Sequence, residues 1–107
     1  MSTAPKSEIF QMTALADYQS GAVVSHQVTK AEGGNVTMFA FAEGQELSEH
    51  TAPFDALVHV LEGGVEIMIS GKSYLLGSGQ GIIMPANQPH AVKAVGKFKM
   101  LLTMIHA

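Results

Sequence analysis

The sequence predicts an all-β protein built as a jelly-roll barrel or sandwich. Its apolar segments are short, rich in β-branched and aromatic residues and bounded by glycine, which is typical of strands joined by turns. Gly63-Gly64 and Gly71-Lys72 divide neighbouring segments, and glycine supplies the positive φ that such tight turns need. About eight short antiparallel strands in 107 residues must bury one face against another, and a barrel also hides most strand edges. We therefore expect a ligand to bind inside the barrel.

We predict one barrel domain over residues 21–107 and an N-terminal arm or edge strand over residues 1–20. The predicted strands are residues 22–28, 35–41, 56–61, 65–69, 73–76, 81–84, 91–95 and 98–105. In the arm, Ile9, Met12 and Leu15 recur at the three-residue spacing of a helix. Because this run is short, we interpret it as a strand or turn that covers the barrel mouth.

The composition narrows the classes of partner and site. The net charge is -3, with nine acidic and six basic residues and no long run of either sign, so we expect neither a nucleic-acid partner nor a membrane partner. The absence of cysteine excludes disulfides, thiolate nucleophiles and cysteine-ligated metals. No apolar run approaches the roughly 18 residues of a membrane span, and the first residues do not resemble a signal peptide. A cytoplasmic location follows as the default expectation.

Two sets of residues recur at fixed spacings along the predicted barrel. The first set has five residues, then one, three and six between its members, which are Gly44, His50, Ala52, Ala56 and Gly63. The second set has five, one and two residues between its members, which are Gly79, Pro85, Asn87 and His90. Together they resemble the two motifs of the cupin family. The chain is thereby identified as similar to small single-domain, RmlC-like conserved-barrel cupins, whose fold is a double-stranded β-helix.

The resemblance implies a metal site that has lost half of its ligands. The cupin metal ligands are two histidines and a glutamate from the first motif and one histidine from the second. Here His50 and His90 match the outer two, whereas Ala52 stands at the second histidine and Ala56 at the glutamate. Zinc sites use three or four protein ligands, and non-haem iron oxygenases use two histidines and a carboxylate. A tight site would therefore need another donor.

Strand parity selects the candidates for that donor, because side chains alternate between the two faces of a sheet. If Ala56 points inward, His59 points outward unless a bulge reverses it, and Glu46 shares parity with His50. We retain His59 and Glu46 as possible third ligands. The other carboxylates near His50, Glu49 and Asp55, are interpreted as solvated or loop residues. His26 and His106 are interpreted as surface or partly buried residues, and the roles of these two and of His59 are left open.

We expect His50 and His90 to face one cavity, because two separate motifs direct them there. The alternative is that they are residues of a fully packed core, hydrogen-bonded to each other or to the backbone, with no ligand. The predicted pocket residues are His50, Ala52, Phe54, Ala56, Met84 and His90. The alanines leave a hollow and remove charge, so the pocket should be drier and more apolar than that of a metal-binding cupin, with Met84 and Phe54 as its walls. An imidazole titrates near pH 6.5 and can act as a general base or as a donor to a carbonyl or carboxylate.

Three functions remain in competition. The first is a small-molecule-binding cupin with little or no catalysis. The second is a cupin enzyme of the dioxygenase, isomerase or decarboxylase type, in which His50, His90 and a non-standard third ligand hold Zn, Ni, Mn or Fe. The third is an interaction module that forms a homodimer through Leu57 and the C-terminal strand, which would cover an unpaired sheet edge. The sequence does not name the small organic ligand or decide whether catalysis occurs.

Overall fold

The computed structural model describes residues 3–106, and these form nine strands. The strands are β1 (Val23–Ala31), β2 (Gly34–Phe41), β3 (Glu46–His50), β4 (Asp55–Glu62), β5 (Gly64–Ile69), β6 (Lys72–Gly77), β7 (Gly81–Met84), β8 (His90–Ala94) and β9 (Phe98–Ile105). Helical structure in this part of the chain is limited to a four-residue 3-10 helix at Met12–Leu15, far too short to cross a membrane. The predicted all-β class is confirmed.

The strands form two antiparallel sheets that pack face to face. The five-stranded sheet has the order β1-β2-β9-β4-β7, and the four-stranded sheet has the order β3-β8-β5-β6. Along β5, Val65, Ile67 and Ile69 are buried while the residues between them are less so, because side chains alternate across a strand. The inner faces of both sheets share one apolar core, in which the ring centroids of Phe41 and Phe98 are 4.6 Å apart.

Strand β3 is the element that the sequence pattern did not single out. Each of the eight predicted strands overlaps an observed one, and β3 is the ninth. Its sequence, ELSEH, is exposed at every position except Leu47, so it lacks the apolar alternation that marks a strand. It forms because its backbone pairs with β8 at the edge of the four-stranded sheet.

The N-terminal arm covers a different surface from the one predicted. We expected it at the barrel mouth, but Ala4 and Ala16 are buried against Val28, Met38 and Ala40 in a second apolar cluster. Alternation along β2 explains the difference, because Met38 and Ala40 lie on the face opposite the main core and still require cover. The arm therefore covers the part of the outer face of the five-stranded sheet around β1 and β2.

Polar contacts attach the arm to the barrel. Lys99 is 7% exposed, and its Nζ donates to the carbonyl oxygen of Thr13 over 2.5 Å. The same Nζ lies 3.8 Å from Glu62 Oε1, and the Tyr18 hydroxyl donates to that oxygen over 2.8 Å. Burial and the carboxylate of Glu62 raise the pKa of Tyr18, so the phenol stays protonated and keeps donating.

Replacing Lys99 by methionine is expected to lower the free energy of unfolding by about 1–3 kcal/mol, since a charged hydrogen bond is lost beneath the arm. Urea unfolding measures the effect. Lys97→Met is the matched control, because exposed Lys97 lies over the same Tyr18 ring at 5.0 Å without the buried contact. Equal losses in the two variants would contradict the role given to the buried ammonium.

Candidate functional site

His50 and His90 meet at one end of the barrel. The pairing of β3 with β8 places the two residues directly opposite each other. Their Nε2 atoms are 3.2 Å apart and their ring centroids 4.4 Å apart, with the ring planes at 67°. His50 is exposed, whereas His90 is only 4% exposed. The pair therefore connects the barrel interior with the solvent.

A bulge in β3 makes this contact. Leu47 pairs with Val92, and the next registered pair is His50 with His90, so β3 has two residues between these pairs where β8 has one. Leu47 packs against the main core. Regular alternation from Leu47 would turn residue 50 to the outer face, and the extra residue returns it to the inner face.

Backbone carbonyls fix the orientation of both imidazoles. Nδ1 of His50 donates to the Ser48 carbonyl oxygen at 2.8 Å, and Nδ1 of His90 is 3.3 Å from the Gln88 carbonyl oxygen. A neutral imidazole has only one N–H, so a ring that donates from Nδ1 presents a lone pair at Nε2. Two such lone pairs facing each other require a proton, a hydrogen-bond donor or a cation between them.

The environment of His90 favours its neutral form. Burial lowers the pKa of His90 below its ordinary value of 6.5, and the neighbouring His50 lowers this pKa further, although the Gln88 carbonyl opposes both. At neutral pH the buried ring therefore offers a lone pair to a bound molecule.

Acidification is expected to destabilise the protein through His90. Because folding lowers the pKa of His90, the unfolded chain takes up the proton first, and the associated stability is complete above pH 6.5 and is lost as the pH falls towards the folded-state pKa. Urea unfolding at several pH values measures the slope of the free energy of unfolding against pH. His90→Gln should flatten it below pH 6.5, whereas the exposed-residue control His59→Gln should leave it unchanged. Identical slopes in wild type and His90→Gln would contradict this assignment.

Two loops that hydrogen bonds join together form the rim of the barrel beside His50 and His90. The Asn87 N–H donates to the Ala52 carbonyl oxygen over 2.7 Å, and the Ala86 N–H donates to Asp55 Oδ1 over 2.8 Å. These bonds join the loop after β3 and the first residue of β4 to the loop after β7. His50 and His90, each next to one of these loops, are thereby held in a fixed relation.

The remaining predicted pocket residues lie at the same end of the barrel. Ala56 and Met84 are opposite each other in the pairing of β4 with β7, are 1% and 3% exposed, and belong to the main core. Ala52 and Phe54 are half-buried on the rim loop, and Phe54 borders a cavity of about 230 Å³. The barrel is thus packed at the level of Ala56, and the cavity beside Phe54 has Pro53, Asp55, Ala86 and Ile105 as its other walls, with no wall from His50 or His90.

The family relationship follows from a direct comparison. A profile of the cupin domain family matches residues 37–106, which is more than half of the chain. The chain belongs to the cupin family. This cupin is similar in structure to a conserved protein of unknown function from Streptococcus pyogenes, with 32% identity, coverage of 100% of this chain and 96% of that one, and a TM-score of 0.91. It is also similar to a cupin 2 conserved barrel domain protein from Leptotrichia buccalis, with 36% identity, coverage of 91% and 47%, and a TM-score of 0.87.

A curated relative is the polyketide synthase CurC from Streptomyces cyaneus. It is 30% identical over 67 residues, which are 62% of this chain and 44% of that protein. The chain thus aligns with less than half the length of this relative.

The cupin motif spacings have a backbone explanation here. Gly63 has φ +80°, and a Cβ at this position would collide with the Lys97 carbonyl oxygen and with Phe98. Asn87 stands where the motif usually has glycine, and its φ of +64° is in the left-handed region that asparagine tolerates better than most residues. The departure at Asn87 therefore preserves the turn that leads into His90.

The structure corrects both candidates for a third metal ligand. His59 is exposed between buried Val58 and Val60, and no bulge precedes it to reverse the alternation of β4. Glu46 is exposed and pairs with Lys93, on the outer side of the bulge that turns His50 inward. Within residues 3–106, no group of three or more histidines, aspartates, glutamates or cysteines is placed to hold a metal ion.

Two further histidines differ in their relation to the site. Half-buried His26 pairs with Met38 in the outer region of β1 and β2, far from the pair in the strand order. His106 lies instead against Phe54, with ring centroids 4.3 Å apart. The sequence analysis interpreted His106 as a surface or partly buried residue, and the structure shows that residue 106 continues the inward alternation of Phe98, Met100, Leu102 and Met104.

Proposed function

We propose that this cupin binds a small organic molecule with a carboxyl or carbonyl group, and that His50 and His90 form its polar anchor. The observation that supports this proposal best is the 3.2 Å approach of the two Nε2 atoms, one on an exposed ring and one on a buried ring. This arrangement is sufficient to bind such a molecule, and no catalytic step has to be assumed.

The hydrogen-bonding needs of the pair define the polar end of the ligand. When both Nδ1 atoms donate to carbonyls, the two Nε2 atoms hold at most one shared proton. A carboxyl group complements this arrangement in either proton state, because it can bring the missing proton or accept the shared one. A carbonyl oxygen accepts it as well.

The surroundings favour an apolar remainder of the ligand. Half-buried Phe54 offers aromatic surface at the rim, and Met84, which is packed in the core beside Ala56, can adapt its shape to a guest. The relative from Streptomyces cyaneus is named a polyketide synthase, and polyketides are carbonyl-rich carbon chains, which agrees with the proposed ligand class.

A second candidate function is weak binding of a divalent metal by the same pair. Two ligand atoms bonded to a tetrahedral zinc ion at about 2.0–2.1 Å lie about 3.3 Å apart, close to the observed 3.2 Å. Carbonyls on both Nδ1 atoms also resemble the partners that orient metal-bound imidazoles. Two donors do not match the three or four of established zinc sites, so no catalytic step is assigned to a metal.

Histidine-selective ¹⁵N NMR distinguishes the two functions. Titration with benzoate and acetylacetone should shift the Nε2 resonances of His50 and His90, and zinc, nickel, manganese or iron should compete only if it occupies the same nitrogens. His50→Ala and His90→Gln should abolish the response, while His59→Ala, an exposed histidine on the other sheet, should retain it. If neither probe nor metal shifts these two histidines in the wild-type chain, the proposed site is wrong.

We also propose that two copies associate through the outer face of the five-stranded sheet. Leu57 and Ile83 pair across β4 and β7 and are 41% and 58% exposed, and Ile105 on β9 is 60% exposed. Edge strand β7 would be covered by the second copy. The cytoplasmic location and the absence of nucleic-acid and membrane partners remain predictions.

Light scattering at micromolar concentration tests the dimer. We expect Leu57→Glu to shift the wild-type dimer to monomer, because burial of a carboxylate in an apolar interface is unfavourable. Leu75→Glu, at a 75% exposed position on the other sheet, should leave the dimer intact. A monomeric wild-type chain would contradict the proposal directly.

A further inference from the structure

His106 has a buried ring nitrogen that lacks a hydrogen bond. Within residues 3–106, its Nε2 has essentially no exposed surface and no partner. The residue itself is well fixed, because its backbone N–H donates to the Gly33 carbonyl oxygen over 2.8 Å and its ring packs on Phe54. Buried polar atoms are nearly always hydrogen-bonded, and an unpaired one lowers stability. The unpaired Nε2 of His106 therefore requires an explanation.

The strand pairing places this nitrogen at the open end of the barrel. Ile105 pairs with Asp55, and Met104 pairs with Ala56, so His106 and Phe54 follow as the next opposing residues. Residue 106 shares the inward parity of Met104, which packs against the main core. His106 therefore belongs to the same end of the barrel as Ala56 and Phe54, two residues of the proposed pocket.

We propose that Nε2 of His106 is a second polar anchor of this pocket and binds a hydroxyl group of the guest molecule. A hydroxyl group both donates and accepts, so it satisfies this nitrogen in either tautomer. The inference rests on the proposed function, because the carboxyl or carbonyl end of the same molecule would meet His50 and His90.

The position of Phe54 indicates an aromatic guest. Its ring contacts the His106 ring at a tilt of 34°, and it is half-buried beside the rim cavity of about 230 Å³. A flat guest can take the place of the Phe54 ring against His106 while that side chain turns into the cavity. The ligand class is then a small hydroxylated aromatic acid or ketone.

Benzoate and its 3- and 4-hydroxy derivatives test the inference by ¹⁵N NMR on the wild-type chain. We expect all three to shift the Nε2 resonances of His50 and His90, and at least one hydroxybenzoate to shift that of His106 as well. That hydroxyl should tighten binding about 3- to 10-fold in wild type and have no effect in His106→Phe.

Thermal unfolding supplies an independent measurement. His106→Phe removes an unpaired buried nitrogen and keeps the aromatic contact, so it should raise the midpoint of thermal unfolding. His106→Leu should not lower this midpoint, whereas the loss of a hydrogen-bonded histidine would lower it. His26→Phe, at a half-buried histidine away from the barrel mouth, is the control for hydroxyl selectivity and should bind as wild type does.

The outcomes separate this inference from the proposed function. Shifts at His50 and His90 without any hydroxyl-dependent change at His106 overturn the inference alone. A loss of thermal stability in both His106 variants also overturns it, since the nitrogen would then be satisfied within the fold. No response of any of the three histidines to the three probes overturns the inference and the proposed function together.

Discussion

Replacing Ala52 by histidine and Ala56 by glutamate is expected to convert the histidine pair into a zinc site at least about 100-fold tighter than that of the wild-type chain. The wild-type pair offers two Nε2 donors at 3.2 Å. The double substitution adds the imidazole and the carboxylate that the cupin motif carries at these positions, completing four ligands. Isothermal titration with zinc, nickel and manganese measures the gain.

The metal-free form of this variant should be less stable than wild type. Ala56 is 1% exposed, so a glutamate there is buried without a partner until an ion binds. Zinc at about 100 times its dissociation constant should then raise the free energy of unfolding by about 2.7 kcal/mol. The matched control combines Ala52→His with His59→Glu, which places the carboxylate on the outer face of the same strand. If this control binds zinc as tightly as the test variant, positions 52 and 56 do not surround the pair.

The fold could be predicted because its determinants are local in the sequence. Short apolar segments between glycines predicted eight strands, and the motif spacing predicted the family, since Gly44, Gly63 and Gly79 all adopt the positive φ of a turn. Strand β3 lay outside this pattern because almost all of its side chains are solvated. Its existence depends on a partner strand far along the chain, which alternation does not reveal.

The site was only partly predictable, because a bulge shifts the parity. The motifs directed His50 and His90 towards each other, and the structure brings their rings into contact. Simple alternation gave Glu46 the same face as His50, but the extra residue in β3 places them on opposite faces. His106, in contrast, follows the plain alternation of β9, so the sequence did contain a signal for its orientation. Its missing hydrogen bond became apparent only from the packing.

Phe98→Ala is expected to be strongly destabilising, lowering the free energy of unfolding by about 3–5 kcal/mol. Phe98 is 0% exposed, its ring lies 4.6 Å from that of Phe41, and its Cβ lies beside the Gly63 turn. Truncation removes this contact and leaves a cavity that two packed sheets cannot easily close. Urea unfolding measures the loss, and Leu75→Ala, at a 75% exposed position, should change it by less than about 0.5 kcal/mol.

The same variant tests what holds the histidine pair in place. Phe98 and Ile105 are at opposite ends of β9, seven residues or about 23 Å apart, and the candidate site is at the Ile105 end. The pair depends on the β3 bulge and on the bonds between the rim loops, both remote from Phe98. We therefore expect the folded fraction of Phe98→Ala to keep the lowered pKa of His90, measured by NMR titration. A return of this pKa to the ordinary histidine range would show that the whole core, and not the local strand pairing, positions the site.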